Sequence, residues 1–452
     1  MTCYGGLMKA FKAYDIRGVF DSDMSVELAY KVGFFLPKLL DAKTILVGRD
    51  MRVSSPVIFE SLSKGITDAN CNVLDISLSS TPMVYFSTVY FKADGSVQIT
   101  ASHNPAKYNG LKISRKMAVP VGGETGLKTL EEMCKNEKVV VKNEKGTIKS
   151  VDGKTPYIKF LRKYKDDYSK LKIAVDCSNG MASLLIKDIL GEDVIYLNDT
   201  LDGTFPSHEP NPLDPNNCKQ LQHAVVKNKC DLGIIFDGDA DRVMFIDEKG
   251  GYIPADHLMA ILGEKMLEMR GERIAVVDIR TSKSTTEHLE KLGYRVIMWK
   301  VGHVHAKAKL RETGAVFGGE LAGHYYFKEF NNCDSGLFAM IMLLNLISKK
   351  HEENQSLSTL ISDIVKYEAS GEINFKVENK DEVIDILKNT YSEKALKVLD
   401  TDGYRIEYKS WWFGVRKSNT EPYLRLVVEA SNKQELKEKI EELTKIIDSN
   451  SK

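Results

Sequence analysis

The chain has 452 residues, enough for two to four domains, and its 43% hydrophobic and 28% charged residues are ordinary for a water-soluble globular protein. Basic and acidic residues number 63 each, so no net charge favours nucleic acid or a membrane surface as a partner. The seven cysteines stand singly without a C-x-x-C pair, which excludes a disulfide framework or a zinc site of the usual spacing.

The first part of the chain alternates predicted helices and strands, which favours a layered α/β sheet. Tyr14 and Arg17 precede Gly18 in a segment that fits a binding loop or an ordinary turn equally well. A helix is predicted over residues 24–40, followed by strands at 44–47, 72–76 and 96–100. Ser54 and Pro56 predict a capped helix start between the first two of these strands.

The segment from Thr100 to Pro105, with the sequence TASHNP, follows the third of these strands. It places Ser102 and His103 at the carboxyl end of the sheet, where open α/β folds bind their ligands. No G-x-S-x-G elbow surrounds the serine, so a conventional hydrolase nucleophile is not predicted. The pair Asn109-Gly110 predicts a turn that would bring Lys112 back towards the serine.

A second α/β unit is predicted from strands at 171–176 and 231–236, with an irregular loop at 203–212 between them. Asp237, Asp239 and Asp241 follow the second strand at alternate positions. Three carboxylates so close together favour a hard cation, most naturally Mg2+. Glu248 stands at the twelfth position of an EF-hand pattern, but Arg242 occupies its glycine position and a strand precedes the loop. A solvated acidic turn is the remaining alternative.

A third unit is predicted from strands at 273–278 and 295–300 and helices at 255–269 and 335–350. Glu320 and His324 lie in a glycine-flanked loop, and His303 follows the second strand. A glutamate can accept hydrogen bonds from two adjacent sugar hydroxyls, and a histidine can move a proton near neutral pH. A structural turn explains either loop equally well when it is considered alone.

The last unit differs, because a helix at 380–388 is followed by predicted strands at 405–408, 411–415 and 424–428. A closing helix from residue 431 has a capping box formed by Ser431 and Gln434. The loop at 416–422 offers a donor set suited to phosphate, although a plain β-turn fits as well. Its donors are Arg416, Ser418, Asn419 and Thr420.

These loops together favour phosphoryl transfer onto a sugar in one central cleft. Ser102 would carry the phosphoryl group and Mg2+ would neutralise its oxygens. Four units are predicted, at residues 1–151, 152–250, 251–367 and 368–452. The first ten residues contain no apolar signal-peptide core, and the longest apolar run, at 337–347, is too short to span a bilayer. We therefore expect a cytoplasmic protein without a membrane, nucleic-acid or obligate protein partner.

The sequence strongly resembles the α-D-phosphohexomutase family over essentially its whole length, and most closely its phosphomannomutase and phosphoglucomutase members. Four motifs carry the resemblance in the family's order, and the opening AYDIRG at 13–18 matches as well. The motifs are TASHNP at 100–105, DGDADR at 237–242, GELAGH at 319–324 and RKSNTEP at 416–422.

The resemblance implies three similar mixed-sheet α/β domains and a TATA-binding-protein-like α+β domain, arranged as a heart around a cleft. It implies that Ser102 is a phosphoserine and that a hexose phosphate reacts through a hexose 1,6-bisphosphate. It places Mg2+ on Ser102, Asp237, Asp239 and Asp241. The catalytic set that it implies is Ser102, Lys112, His324, Arg17 and His103. The implied substrate contacts are Tyr14, Arg242, Arg280, His303, Glu320, Arg416, Ser418, Asn419 and Thr420.

Two positions depart from the family's usual pattern. Ala322 replaces the serine that the sugar loop normally carries, which removes one hydroxyl contact worth about 1 kcal/mol. Arg280 stands where a lysine is common, and it keeps the charge with a different geometry. The Ser418-Asn419-Thr420 run favours the hexose mutases over the phosphoglucosamine mutases, and the segment around Cys333 resembles that of the phosphomannomutases. Phosphomannomutase activity is therefore expected, with phosphoglucomutase or dual specificity as the alternative and phosphoglucosamine mutase less favoured.

Two other classes of protein were weighed against an isomerase. A metal-dependent phosphatase would be indicated by a D-x-D-G-T nucleophile motif, which the sequence lacks. A non-catalytic sugar-phosphate sensor would not need Ser102, Lys112 and the three aspartates together. The retention of these residues favours an enzyme.

Overall fold

A computed structural model describes residues 8–141, 143–269, 272–418 and 423–451. Within these residues the strands form four separate sheets, one of seven strands and three of five. The first three sheets mix parallel and antiparallel strands, and the fourth is antiparallel throughout. The predicted fold class, three mixed α/β units and a dissimilar α+β unit, is confirmed.

The first sheet has the spatial order β1-β5-β4-β2-β3-β7, with β6 attached to β5. Its strands β1 to β7 are Ile16–Val19, Thr44–Arg49, Asn72–Leu78, Gly95–Ile99, Tyr108–Arg115, Val119–Pro120 and Ile148–Ser150. The helices α1 to α4 of this part are Val26–Leu40, Ser55–Asp68, Thr81–Tyr90 and Leu127–Asn136. Strand β4 is buried at all five residues, so it lies in the middle of the sheet and carries the serine loop at its end.

The second sheet has the order β12-β11-β10-β8-β9. Its strands β8 to β12 are Ile173–Asp176, Ile195–Leu197, Leu232–Phe236, Val243–Asp247 and Tyr252–Ile253. The helices α5 to α7 are Lys154–Arg162, Ile186–Leu190 and Lys219–Asn228. Strand β10 lies parallel to β8 and antiparallel to β11, so the segment between β10 and β11 turns at the sheet's carboxyl edge. That segment holds the three aspartates.

The third sheet has the order β14-β13-β15-β16-β17. Its strands β13 to β17 are Ile274–Asp278, Arg295–Trp299, Phe317–Gly319, Tyr325–Phe327 and Cys333–Asp334. The helices α8 to α12 are Ala255–Met266, Lys283–Lys291, His303–Thr313, Gly336–Glu352 and Leu357–Ile364. The predicted glutamate-histidine loop is the tight connection between β15 and β16.

The fourth sheet has the order β18-β22-β21-β20-β19. Its strands β18 to β22 are Glu368–Lys376, Lys397–Leu399, Tyr404–Glu407, Trp411–Lys417 and Tyr423–Ala430, and its helices α13 and α14 are Lys380–Tyr391 and Lys433–Asn450. The closing helix α14 has one apolar stripe, because Leu443 and Ile447 are fully buried and Leu436 and Ile440 pack against the same core.

The largest hydrophobic core is shared between the second and third sheets. Helix α11 is buried over most of its length, and it lies within this core. Tyr85 of α3 and Leu161 of α5 belong to the same cluster. Because each buried large apolar side chain contributes about 1.5–3 kcal/mol, the shared core holds the second and third units in a defined relation to the first.

The turn predicted at Asn109-Gly110 is wrong, because both residues lie inside β5. The chain reverses earlier, between Ala101 and Tyr108, and Lys112 still returns opposite Gln98 of β4. The Asn109 side chain donates to the hydroxyls of Ser54 and Ser55 rather than closing a turn. A Cβ on Gly110 would lie 2.3 Å from the Ile16 carbonyl, so glycine here permits the close approach of β1.

Two predicted helix caps are also corrected. Ser54 is at the N-cap of α2, but its side chain makes no capping bond because its oxygen accepts from Asn109. The cap of α14 is Asn432, whose side chain accepts from the Glu435 amide, and Ser431 lies one residue outside. Strand β21 also runs on to Lys417, so Arg416 belongs to the strand rather than to the loop that was predicted from residue 416.

Candidate active site

The serine loop begins where β4 ends and holds Ser102 almost fully buried, with 1% of its surface exposed. Its backbone has φ 50°, in the left-handed region, and its amide donates to the Thr100 hydroxyl at 2.9 Å. This conformation costs roughly 1–2 kcal/mol for a residue other than glycine. The surrounding contacts therefore have to hold the serine in place.

Arg52 supplies those contacts, and the sequence analysis missed it. Its guanidinium donates to the carbonyl oxygens of Ser102 at 2.8 Å and of Asn104 at 2.7 Å, and also to those of Pro105 and Tyr108. Asp50 accepts from Arg52, and both side chains are buried. One sequence feature could have indicated this pair: Asp50 stands directly after β2, at the same edge of the sheet as Ser102.

The aspartate loop lies against the serine loop. The Ser102 hydroxyl donates to Asp237 Oδ2 at 3.0 Å, although the two residues are 135 positions apart. A Cβ on Gly238 would lie 2.6 Å from the Ser102 carbonyl oxygen, so only glycine allows the two loops to approach this closely. The predicted serine and the predicted acidic cluster therefore form one site.

Asp237, Asp239 and Asp241 each place a carboxylate oxygen within 4.8 Å of the others, and all three side chains are buried. Lys112 of β5 donates to Asp239 Oδ2 at 2.7 Å and also to Asp241 Oδ2. The Oδ1 atoms of Asp239 and Asp241 have no hydrogen-bond donor among the described residues. Two orphaned, buried carboxylate oxygens beside a third carboxylate fit a hard divalent cation.

The electrostatics of this cluster agree with that assignment. Burial raises the pKa of Asp237, and the negative charges of Asp241 and Asp239 raise it further. Burial alone would also raise the pKa of Asp239, but the Lys112 ammonium outweighs it and the net shift is downwards. Lys112 in turn has a raised pKa, because the attraction of Asp239 and Asp241 exceeds the burial penalty. The single ammonium leaves Asp237 without a comparably close cation.

Glu248, the twelfth residue of the EF-hand alternative, lies outside this cluster. It accepts from the backbone amide and the hydroxyl of Ser358. Because the acidic residues are buried and Glu248 is engaged elsewhere, both the EF-hand and the solvated acidic turn are excluded.

His324 faces the aspartates from the β15–β16 loop. Its Nδ1 lies 2.7 Å from Asp334 Oδ2, and its Nε2 accepts from Arg242 Nε at 3.0 Å. These contacts assign the tautomer with the proton on Nδ1. Asp334 also forms an ion pair of 2.7 Å with Lys307, and the side chains of both residues are 0% exposed. The sequence analysis did not predict that Asp334 and Lys307 support the histidine.

Replacing Asp334 with asparagine is expected to destabilise the protein by about 3 kcal/mol, because the fully buried Lys307 ammonium would lose its carboxylate. A lower midpoint of thermal unfolding would show the effect. The double change Asp334→Asn with Lys307→Met should recover most of the loss, since no buried charge is then left unpaired. A single variant as stable as the parent would contradict this account of the pair.

His103 and Arg17 flank the serine. His103 Nδ1 lies 3.4 Å from the Ser102 hydroxyl, and burial together with the charge of Arg242 lowers the pKa of His103 well below its usual range. Arg17 donates to the Asn104 side chain at 2.7 Å and also binds Asp15. Burial lowers the pKa of Arg17, but the negatively charged Asp15 raises it by more, so the pKa of Arg17 is raised. The site thus pairs a neutral imidazole with a fixed guanidinium.

Glu320, His303 and Tyr14 form the adjoining wall. Glu320 accepts from the Gly302 amide at 2.5 Å and from the Tyr326 hydroxyl at 3.1 Å, and burial raises the pKa of its carboxyl group. The His303 ring lies 6.2 Å from that of His324 and 6.0 Å from that of Tyr14. Gly302 has φ 120°, and a Cβ there would lie 2.6 Å from the Tyr14 ring.

Arg280 and Arg416 lie in a separate pocket at the junction of the third and fourth sheets. Arg425, Glu372 and Asp402 also line this pocket. Arg280 pairs with Asp278 at 2.7 Å and with Glu372 at 3.4 Å. Arg416 lies 3.6 Å from Asp402, and its buried Nε has no hydrogen-bond acceptor among the described residues. A basic pocket with an unsatisfied guanidinium nitrogen is suited to an anion.

The predicted site residues therefore fall into three sets. One connected network contains Ser102, His103, Arg17, Lys112, Asp237, Asp239, Asp241, Arg242 and His324. Tyr14, His303 and Glu320 adjoin it, and Arg280 and Arg416 lie in the basic pocket. Ser418 follows β21 directly and donates its amide to the Tyr423 carbonyl, whereas Asn419 and Thr420 lie outside the described residues. Among the helices of the described residues, none is long and apolar enough to span a bilayer.

Comparison with known proteins gives matches over nearly the entire chain. Models of the phosphoglucomutase/phosphomannomutase family match as alpha/beta/alpha domain I at residues 8–140, domain II at 155–251, domain III at 254–367 and the C-terminal domain at 372–446. A phosphomannomutase of Vibrio cholerae is 35% identical over 457 residues, covering 97% of this chain and 98% of that protein. A phosphomannomutase of Methanocaldococcus jannaschii is 38% identical over 450 residues, covering 98% of each.

Comparison with solved structures gives a match to a protein of the same family. The crystal structure of a phosphoglucomutase/phosphomannomutase family protein from Burkholderia thailandensis superimposes with a TM-score of 0.90 at 26% identity. The match covers 98% of this chain and 99% of that one. The four-unit architecture is therefore shared at full length.

Proposed function

The chain belongs to the phosphoglucomutase/phosphomannomutase family of α-D-phosphohexomutases, and from this premise we propose that it is a phosphomannomutase. It is an isomerase that would interconvert mannose 6-phosphate and mannose 1-phosphate. The observation that supports this reaction most directly is the Ser102 hydroxyl hydrogen-bonded to Asp237 within the buried aspartate cluster. The similarity to phosphomannomutases over nearly the whole chain supports mannose phosphate as the substrate.

In the proposed reaction Ser102 carries a phosphoryl group and passes it to the free hydroxyl of the hexose phosphate. The P–O bond to Ser102 breaks as a P–O bond to the sugar forms, which gives a hexose 1,6-bisphosphate and a free serine. The bisphosphate then turns over in the site and returns its other phosphoryl group to Ser102. The number of phosphoryl groups is unchanged, so the enzyme ends as it began.

Mg2+ is the proposed resident cation, and when bound it would neutralise the charge on the phosphoryl oxygens. The residues that would hold it are Asp237, Asp239, Asp241 and an oxygen on Ser102. The orphaned Oδ1 atoms of Asp239 and Asp241 support this assignment.

The proton that leaves the sugar hydroxyl needs an acceptor. His324 Nε2 carries no proton in the tautomer that its contacts assign, in which Nδ1 donates to Asp334 and Nε2 accepts from Arg242. This nitrogen can take the proton when the sugar hydroxyl replaces Arg242 as its partner. Lys112, an ammonium held by two carboxylates, is suited to attracting the phosphoryl oxygens, whereas its raised pKa makes it a weak proton donor. Arg17 and His103 would orient the phosphoryl group on Ser102.

The substrate would span the network and the basic pocket. Glu320 is proposed to accept from neighbouring sugar hydroxyls, with Tyr14, His303 and Arg242 beside it. Arg280, Arg416 and Ser418 are proposed to bind the phosphate that does not react, together with Asn419 and Thr420 by family resemblance. The unsatisfied, buried Nε of Arg416 supports this division.

Changing Arg416 to glutamine is expected to raise KM for mannose 1-phosphate about tenfold or more with a smaller change in kcat, because one charge-assisted contact to a non-reacting phosphate is lost. Steady-state kinetics would measure both constants. Lys417→Gln is the matched control, since this neighbour on β21 pairs with Asp381 and is about half exposed. Equal increases in KM for the two variants would contradict the assignment of Arg416.

The sugar preference is tested by kcat/KM for mannose 1-phosphate, glucose 1-phosphate and glucosamine 1-phosphate, measured after the enzyme has been phosphorylated with a hexose bisphosphate. We expect mannose 1-phosphate to be the best of the three. A higher value for glucose 1-phosphate would replace the proposal with phosphoglucomutase activity. Failure to isomerise any of the three would refute it.

A further inference from the structure

A second cluster of possible metal ligands lies at the junction of the third and fourth sheets. Asp256 and His257, in the first turn of α8, face Glu429 on β22. One ligand atom from each residue lies within 4.8 Å of the other two. The three residues are buried, with exposed fractions of 3%, 8% and 4% in that order.

Hydrogen bonds orient both carboxylates and leave one oxygen of Glu429 available to a ligand. Asp256 accepts the His257 amide on Oδ1 at 3.1 Å and the Ser282 amide on Oδ2 at 2.8 Å. Glu429 Oε2 accepts from Trp412 Nε1 at 2.6 Å and from the Lys283 amide at 3.0 Å. Glu429 Oε1 accepts no hydrogen bond from the described residues. Fixed carboxylates of this kind are typical of preorganised metal ligands.

The His257 ring supplies an independent indication that a ligand belongs here. More than nine-tenths of this residue is buried, yet its ring nitrogens make no hydrogen bond or ion pair within the part of the chain that the structure describes. One of its nitrogens lies within 4.8 Å of an oxygen of each carboxylate, so a cation between them could contact all three side chains.

The neighbouring cations are already engaged elsewhere. The Arg405 guanidinium donates to the carbonyls of Ile279 and Thr281 and pairs with Glu407. The Lys283 ammonium donates to the carbonyls of Tyr408 and Lys409. Neither carboxylate forms an ion pair with a cation of the described residues, although the Arg405 guanidinium lies near Glu429 and its buried Nη2 has no hydrogen-bond acceptor there.

We propose that Asp256, His257 and Glu429 bind a divalent transition-metal cation, with Zn2+ as the best match. One imidazole nitrogen and two carboxylate oxygens form a ligand set that Zn2+ uses with water as the fourth ligand, whereas Mg2+ prefers oxygen alone. The site contains none of the residues assigned to phosphoryl transfer. It would tie α8 of the third unit to β22 of the fourth, next to the strand that carries Arg416.

The test measures Zn2+ binding to the full-length protein by equilibrium dialysis and elemental analysis, in an Asp237→Asn background that weakens the aspartate site. We expect this background to retain one bound equivalent that His257→Asn loses or binds at least about tenfold more weakly. His223→Asn, which removes an exposed histidine of α7, is the matched control and should retain the equivalent. Equal Zn2+ binding by the His257 and His223 variants would overturn the proposal.

Glu429→Gln is a second test variant in case the His257 variant fails to fold. It too should lose the bound equivalent of Zn2+. Crystals of the parent soaked with Zn2+ should show an anomalous peak at the zinc edge within bonding distance of all three residues. The absence of that peak, with no equivalent retained in the Asp237→Asn background, would overturn the proposal.

Discussion

Replacing Ser102 with alanine is expected to lower kcat for mannose 1-phosphate by at least about a thousandfold, because the variant has no oxygen on which to carry the phosphoryl group. Neither Lys112 nor His324 can replace Ser102 as the phosphoryl carrier, since each is already held by carboxylates at the edge of the cluster. The coupled mutase assay measures the loss. Incubation with labelled hexose bisphosphate should label the parent and leave the variant unlabelled.

Ser77→Ala is the matched control for this change. Ser77 also has a left-handed backbone, with φ 58°, but its side chain is exposed at the end of β3. Both substitutions exchange a hydroxyl for hydrogen in the same backbone conformation, so only the position of the hydroxyl differs. Ser102→Gly, which relieves the left-handed strain, should be as inactive as Ser102→Ala. Parental turnover in either Ser102 variant would refute the carrier role.

Asp237→Asn is expected to produce the second-largest effect, lowering kcat at least about a hundredfold and raising the Mg2+ concentration for half-maximal activity at least about tenfold. The amide keeps the size of the side chain and can still accept from the Arg242 amide, but it removes one of three charges that would hold the cation. Titrating Mg2+ into metal-free enzyme during the assay separates the two effects.

Asp247→Asn provides the control at the other end of the same hairpin. The Asp247 carboxylate accepts from the amides of Lys249 and Gly251, away from the serine. This variant should keep the parental Mg2+ dependence. A chelator should abolish the activity of the parent, and added Mg2+ should restore it. Full activity of the parent in excess chelator would contradict the metal assignment.

Local patterns predicted the strands and the motifs that follow them, because both depend on neighbouring residues. The apolar run that forms β10 leads directly into Asp237, and the run that forms β4 leads into the serine loop. The Asn109-Gly110 turn failed for a tertiary reason. The Asn109 side chain bonds to Ser54 and Ser55, and Gly110 admits β1 at close range, and neither requirement is visible in a local window.

The sequence by itself determined the family through the resemblance of its motifs. Its periodicity and its motifs also determined the four-unit organisation and the chemical types of the reacting groups. Only the tertiary structure decided how those groups are supported. Lys112 reaches Asp239 across 127 positions, and Arg52 braces the Ser102 carbonyl across 50. Asp334 sets the tautomer of His324, and Glu429 meets Asp256 from a different sheet. Burial and the pairing of distant charges create these relations, and no local pattern of residues encodes them.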